Sequence, residues 1–346
     1  MAGSTWAGRR VLVTGHTGFK GSWLTAWLEL LGAHVTGLSL PATPDGMYKT
    51  SSPWRHHNVE ADLVEAELEP IVARAEPEVV FHLAAQSTVR AGYSAPELTW
   101  ATNVMGTVRL LDALRHQDTA RVILVTTTDK VYGSAPQTFS ETDRLIASDP
   151  YAGSKVGQEM VVESFRDAYF DNGVHLVTAR AGNVIGGGDA GPDRLVPDAV
   201  RATRAGETLE LRCPDAVRPW QHVLDPIWGY LRFAEHGLSN TDTLPALNFG
   251  PDPANTTTVS ELVAAFLHQL GGAPNVLSIN RGPHMSENQH LTIDSTAATE
   301  LLGWTPRLST HEAVAWAAQW YSTVEAGRDP LEATNSQILR YQGLAG

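Results

Sequence analysis

"RRVLVTGHTGFKGSWL", residues 9–24, is the stretch that decides the fold. It opens with a short apolar run, Val11-Leu12-Val13, of the kind that fills a buried strand. Gly15, Gly18 and Gly21 follow directly, and an apolar segment of helical period starts at about residue 20. A turn without side chains lets backbone N–H groups approach a pyrophosphate, and the helix N-terminus behind it favours negative charge. Three glycines alone define only a tight turn. With a strand before them and a helix after them, they predict a dinucleotide site.

The same alternation continues outward. "AHVTGLSL" (33–40), "EVVFHLAA" (78–85), "RVILVTTT" (121–128) and "VHLVTARA" (174–181) read as buried parallel strands. Helical stretches lie at about 20–31, 63–75, 97–117 and 153–171. This pattern predicts a doubly wound α/β fold, a Rossmann-type parallel sheet, over residues 1–183. The pattern then changes to a glycine-rich loop, "GNVIGGGDAGPDRLVP" (182–197), a helix near 195–205, the short strand "LELRC" and the strand "ALNFG". Residues 184–325 are expected to form a smaller α/β substrate lobe. That lobe is expected to be discontinuous, with segments of 219–250 returning to the first, and 326–346 is expected to be a surface tail.

Composition narrows the function classes. A formal charge of −13 argues against nucleic acid as a partner. No apolar run has membrane-spanning length, and residues 1–8 lack the charged start and apolar centre of a signal peptide. Cys213 is the single cysteine, which excludes an internal disulfide, so a cytoplasmic enzyme is expected. The 13 histidines show no metal-ligand spacing, so no metal is expected. Of the 25 basic residues only Lys20, Lys49, Lys130 and Lys155 are lysines.

Two of those lysines stand where an amine is chemically useful. "YAGSK" sets Tyr151 and Lys155 four apart at the start of a helix, hence on one face. A tyrosine with an ordinary pKa of about 10 is a poor base, and an adjacent ammonium together with an oxidised nicotinamide lowers it toward neutrality. "TTTDK" (126–130) places Asp129 and Lys130 beside Thr128, an acid and an amine next to a hydroxyl. The end of the second strand, "GLSLPAT", carries neither the acid that grips an adenosine ribose nor an arginine for a 2′-phosphate. The cofactor is therefore expected to be NAD, loosely held, with Asp62 at its adenine end.

Taken together, the "TGxxGFxG" form at 14–21, "HLAAQ" at 82–86, "NVMGT" at 103–107 and "YxxxK" resemble the extended short-chain dehydrogenase/reductases. The longer strings "GHTGFKGSWL", "RAGNVIGGGD", "DRLVPD" and "RPWQHVLDPIWGYL" resemble the CDP-glucose 4,6-dehydratases within that family. The resemblance implies NAD-dependent dehydration of a nucleotide sugar, with dehydration of a UDP-, dTDP- or GDP-linked sugar, or 4-epimerisation, as alternatives. It implies catalytic roles for Thr128 as hydroxyl, Asp129 as acid, Lys130 as base, and Tyr151 and Lys155 as the oxidising pair. It implies that Gly15, Thr17, Gly18, Phe19, Gly21, Asp62, Leu63, Ala84, Ala85 and Gln86 line NAD together with Tyr151 and Lys155. Asn183, Arg194, Leu195, Arg218 and His222 are the candidates for the sugar nucleotide, the two arginines because guanidinium forks suit a diphosphate. The family also implies a homodimer through the helices near 97–117 and 153–171.

Overall fold

The computed structural model describes residues 5–133, 135, 137–170, 173–211, 213–240, 244–252, 257–271, 276–278 and 291–344. Seven parallel strands form one sheet: β1 (Arg10–Thr14), β2 (His34–Ser39), β3 (His57–Glu60), β4 (Val79–His82), β5 (Val122–Thr126), then His175–Ala181 and Ala246–Phe249. Their spatial order is Ala246–Phe249, His175–Ala181, β5, β4, β1, β2, β3. The chain thus builds from β1 toward one edge and later, from β4, toward the other. At such a reversal a crevice opens beyond the carboxyl ends of the strands, which is where ligands bind in open α/β sheets.

Alternate residues of each central strand face opposite layers, as the period of two requires. Val11, Val13, Val79 and Phe81 enter a core with Trp23, Leu24 and Trp27 of helix α1 (Phe19–Leu30), whereas Leu12, Val80, Ile123 and Val125 enter a second core with Leu110, Leu111, Leu114 and Val162. Because both faces are covered, the central strands are apolar throughout and not alternately polar. The edge strand β3, "HNVE", is mostly exposed, so it carries no apolar pattern and escapes a reading by hydrophobicity.

Two other features, the helix near 97–117 and the C-terminal segment, differ from the sequence reading. The helix expected at 97–117 is Pro96–Trp100 and Gly106–Leu114 with a π-helical turn, Ala101–Met105, between them. That turn carries the fully buried Asn103, whose amide donates to Gln86 O and Ser154 Oγ. Residues 219–250 supply helix Leu224–Ser239 beneath the sheet and the strand Ala246–Phe249 at its edge. The expected surface tail is instead helix Pro330–Gly343, started by Asp329, whose carboxylate caps Leu331 N and Glu332 N. Leu331, Ala333, Ile338 and Tyr341 bury its inner face against the core that contains α1, so this segment is part of the domain.

Candidate active site

The glycine turn has the geometry its sequence predicts. Gly15 has φ +72°, and a Cβ on it would lie 2.7 Å from Ala84 N. A Cβ on Gly21 would lie 2.1 Å from Gly15 O, so neither position tolerates a side chain without moving backbone. Gly18 is the N-cap of α1, and no side chain caps that end. The turn opens onto a cavity of about 830 Å³ lined by Gly15, Thr17, Gly18, Phe19, Gly21, Asp62, Leu63, Ala84, Ala85 and Gln86. A helix start with no side-chain cap beside a glycine turn, opening onto this cavity, fits a dinucleotide.

At the end of β2 stands Ser39, where a ribose-binding acid was sought. Thr17 Oγ1 donates to Leu40 O at 3.0 Å and lies 2.7 Å from Ser39 Oγ, so the Ser39 hydroxyl donates to Thr17. Asp62 Oδ1 accepts from Val64 N, which fixes its carboxylate in a local turn on the cavity wall. The Gln86 side chain is spent within the protein, on Thr99 Oγ1 and Thr88 N.

The chemical residues come from two elements. β5 ends at Thr126, and Thr128 then caps a 3-10 turn over Asp129–Tyr132. Asp149 caps helix Pro150–Tyr169 through Ala152 N, with Pro150 at its first position, so Tyr151 and Lys155 fall in the first turns. Thr128, Asp129, Lys130, Tyr151 and Lys155 all line the cavity. Asp129 is 1% exposed. Its Oδ1 accepts from Thr128 Oγ1 at 3.0 Å, while Oδ2 is buried with no hydrogen-bond partner among the described residues. Burial raises its pKa against the pull of Lys130, Thr128, Arg218 and Lys20. The acid therefore holds its proton to higher pH than an exposed aspartate.

Burial dominates the surroundings of Tyr151. Burial pushes its hydroxyl up to about 12, with a hydrogen bond to Thr128 opposing and Asp129 adding to the rise. The Lys155 ammonium is engaged elsewhere, donating to Thr126 O at 3.1 Å and to Gln158 Oε1 at 2.8 Å. Burial and then Lys20 lower Lys155 to about 7, with Glu159 opposing. In the chain by itself, desolvation of the tyrosine thus outweighs the opposing pull of Thr128 and Arg194.

Of the substrate candidates, Asn183, Arg194, Leu195 and Arg218 line the cavity. Arg194, N-cap of helix Leu195–Ala205, donates Nη1 to both oxygens of Asp189 at 2.9 Å and Nη2 to Ser87 Oγ at 2.6 Å. Arg218 is buried, with Nη1 on Val217 O and its charge facing Asp129. His222 is a correction. It is fully buried, packed edge-on between Trp23 and Trp316, with Nδ1 accepting from Leu224 N. Burial lowers it to about 3, so it is a neutral core residue away from the cavity.

Lys20 was missed. It stands at the second position of α1, lines the cavity, reaches Tyr230 Oη at 3.4 Å, and faces Asp129, Arg194 and Lys155. Burial, and then Arg194, lower it to about 8. The scarcity of lysine in the chain was the signal that could have found it.

Comparison with known proteins places this geometry in a family. Residues 12–316 match the family model described as GDP-mannose 4,6 dehydratase. A protein of Salmonella typhimurium named CDP-glucose 4,6-dehydratase is 36% identical over 97% of this chain and 97% of its own length. A UDP-glucose 4-epimerase of Mycolicibacterium smegmatis is 28% identical over 90% of this chain and 98% of its own. The solved structure of MoeE5 in complex with UDP-glucuronic acid and NAD is 26% identical, with a TM-score of 0.78 over 91% of this chain and 99% of that one. The motif-bearing turn, the tyrosine–lysine helix and the acid–amine turn all fall inside the matched span, and the chain belongs to the GDP-mannose 4,6-dehydratase family of extended short-chain dehydrogenase/reductases.

Proposed function

We propose that this chain is an NAD-dependent nucleotide-sugar 4,6-dehydratase whose substrate is CDP-glucose. The observation that carries the reading is the buried acid Asp129 beside Lys130, in the same cavity as Tyr151 and Lys155. Oxidation or epimerisation at C4 needs the Thr128, Tyr151 and Lys155 set alone. Removing water across C5 and C6 needs a further base and a further acid, and positions 129–130 supply both. The relative named CDP-glucose 4,6-dehydratase supports the choice of nucleotide.

Gly15, Thr17, Gly18, Phe19, Gly21, Asp62, Leu63 and Ala84–Gln86 would hold NAD, which would supply a hydride acceptor for C4 and a hydride donor for C6. Tyr151 accepts the C4 hydroxyl proton, with Thr128 hydrogen-bonded to it and Lys155 one turn behind. The C5 hydrogen is then acidic beside a ketone, and Lys130, half-buried at the cavity wall, takes it as a proton. Asp129 gives its proton to the C6 hydroxyl, which leaves as water. Lys130 finally returns a proton to C5, so the product is the 4-keto-6-deoxy sugar. Arg194 and Arg218 are positioned to hold the diphosphate, because a guanidinium keeps its charge at every working pH.

A cytoplasmic homodimer completes the proposal. Exposed Leu98, Trp100 and Met105 lie on one helical segment, and exposed Met160 and Tyr169 on the catalytic helix. Among the described residues no helix is long and apolar enough to cross a membrane. Incubation with CDP-, UDP-, dTDP- and GDP-glucose, followed by mass spectrometry, tests the function. Loss of one water from CDP-glucose alone is the expected result. Dehydration of another nucleotide sugar overturns the choice of base, and a C4-inverted hexose of unchanged mass overturns dehydration.

A further inference from the structure

Behind Lys155 runs a hydrogen-bonded chain that the proposed chemistry does not use. Gln158 Oε1 accepts from Lys155 Nζ at 2.8 Å, and Gln158 Nε2 donates to Thr107 Oγ1 at 2.8 Å. Thr107 Oγ1 donates to Asn103 O at 2.7 Å and lies 2.9 Å from His82 Nε2. His82 Nδ1 lies 2.7 Å from Thr14 Oγ1, which accepts from Ala84 N. Thr14, His82, Asn103, Thr107 and Gln158 are each at most 1% exposed.

The direction of every bond in this chain follows from one fact. A carbonyl oxygen only accepts, so the single Thr107 hydroxyl proton belongs to Asn103 O. Thr107 therefore accepts from both Gln158 and His82. His82 carries its proton on Nε2 and accepts at Nδ1 from Thr14. Burial lowers the ring to about 3, so it does not take a second proton. The Gln158 amide nitrogen is thereby committed to Thr107, and its oxygen is committed to Lys155. The chain ties the catalytic lysine to β1, the strand that carries the glycine turn.

We propose that Gln158 is a positioning residue for Lys155: its clamped amide oxygen fixes the ammonium and, as a neutral acceptor, sets the pH range over which that ammonium assists Tyr151. The inference rests on the reading of Tyr151 and Lys155 as the C4 oxidation pair. The charged or titratable groups facing Lys155 are Lys20 from α1, His82 from β4, and Glu159 from its own helix, with Tyr151 one turn earlier. Glu159 is bound by Arg180 and by Thr127, so its charge is shared with other partners. The nearest acceptors for the ammonium, Thr126 O and Gln158 Oε1, are both uncharged. The protonation range of Lys155 thus depends on the residue at 158.

The chain has only four lysines, so its lysine 13Cε resonances can be titrated individually in the full-length protein, with Lys155→Arg identifying the signal. Gln158→Glu places a carboxylate against the ammonium and should raise the Lys155 midpoint by about one to three pH units. Gln158→Met removes the acceptor and should lower it. Thr107→Val keeps residue 158 but removes its anchor, and should shift the midpoint in the same direction as Gln158→Met. This third variant keeps the test open if either substitution at 158 prevents folding. The pH profile of C4 oxidation should move with the midpoint, while KM for the sugar nucleotide stays at the parent value. Midpoints that do not move, or that move in the same direction for Glu and Met, overturn the proposal. A parent enzyme inactive on every nucleotide sugar overturns the functional reading instead, and leaves the titration as an independent test of the lysine's environment.

Discussion

Asp129→Asn separates the two halves of the proposed reaction. In the folded chain Asp129 Oδ1 accepts from Thr128 Oγ1 at 3.0 Å, and Oδ2 lies buried close to Gly182, where an added Cβ would stand 3.3 Å away. Asparagine has the same shape and the same neutral charge as the protonated acid. Its oxygen keeps the bond from Thr128, and its nitrogen replaces an oxygen that already lacks a protein partner. The fold should therefore lose only about 1 kcal/mol, the scale of one imperfect hydrogen bond. The proton for the departing C6 hydroxyl is lost entirely. Removing one general acid costs about a hundred- to ten-thousandfold in rate, or about 3–5 kcal/mol of barrier. Formation of the 4-keto-6-deoxy sugar, followed by mass spectrometry, should fall by that factor. C4 oxidation, followed in a single turnover by absorbance of the reduced cofactor, should stay within a few fold of the parent. The pH dependence carries a second signature. Burial raises the pKa of Asp129, so dehydration in the parent should decline as pH rises through that raised value, and the decline should be absent from the variant's residual activity. Parent-like product formation by Asp129→Asn would refute the assignment of the acid, and an equal loss of C4 oxidation would show that Asp129 serves the first step instead.

Lys130→Met should leave Thr128, Tyr151 and Lys155 in place and stall the reaction after C4 oxidation, with product formation reduced about a hundredfold or more; full exchange of C5 hydrogen with D2O would contradict that role. Asp225 supplies a stability prediction. It is fully buried, accepts at Oδ1 from Tyr341 Oη and Arg307 N, and burial raises it to about 6 from an ordinary 3.8. A raised acid contributes stability below about pH 4 and loses it as pH rises through about 6, here on the order of 2–3 kcal/mol. Asp225→Asn should abolish that part of the decline in urea titrations run from pH 4 to 7; identical pH slopes for the two proteins would show that the aspartate does not titrate in this range.

Much of this was legible in the sequence, for reasons that can be named. Central strands of a parallel sheet are apolar on both faces, so β1, β2, β4, β5 and His175–Ala181 stand out by composition. The glycine turn is legible because sterics at Gly15 and Gly21 leave no alternative residue. Tyr151 and Lys155 are legible because helical spacing fixes their common face. Edge strand β3 is not, since an exposed polar strand is specified by its neighbour β2. Helix Pro330–Gly343 was hidden because its mixed composition acquires meaning only against the partners that bury Leu331, Ile338 and Tyr341. The partners of Lys155 were hidden for a similar reason: spacing reveals an ammonium near Tyr151, but not that Thr126 O and Gln158 accept from it.

The distribution of basic residues ties the site's electrostatics to its chemistry. Three of the four lysines, Lys20, Lys130 and Lys155, line one cavity, together with Arg194 and Arg218. In a chain of formal charge −13, that concentration forms a local positive field suited to a diphosphate. The two cation types cannot exchange roles. A guanidinium remains charged when buried, so Arg194 and Arg218 can hold an anion but cannot accept a proton. A buried ammonium moves toward neutrality: Lys155 falls to about 7 and Lys20 to about 8, each chiefly by desolvation. Amines in that range can hold or release a proton at neutral pH at little cost. Replacing Lys20 or Lys155 by arginine would preserve the field and remove that capacity, so binding of the nucleotide diphosphate should survive a substitution that turnover does not.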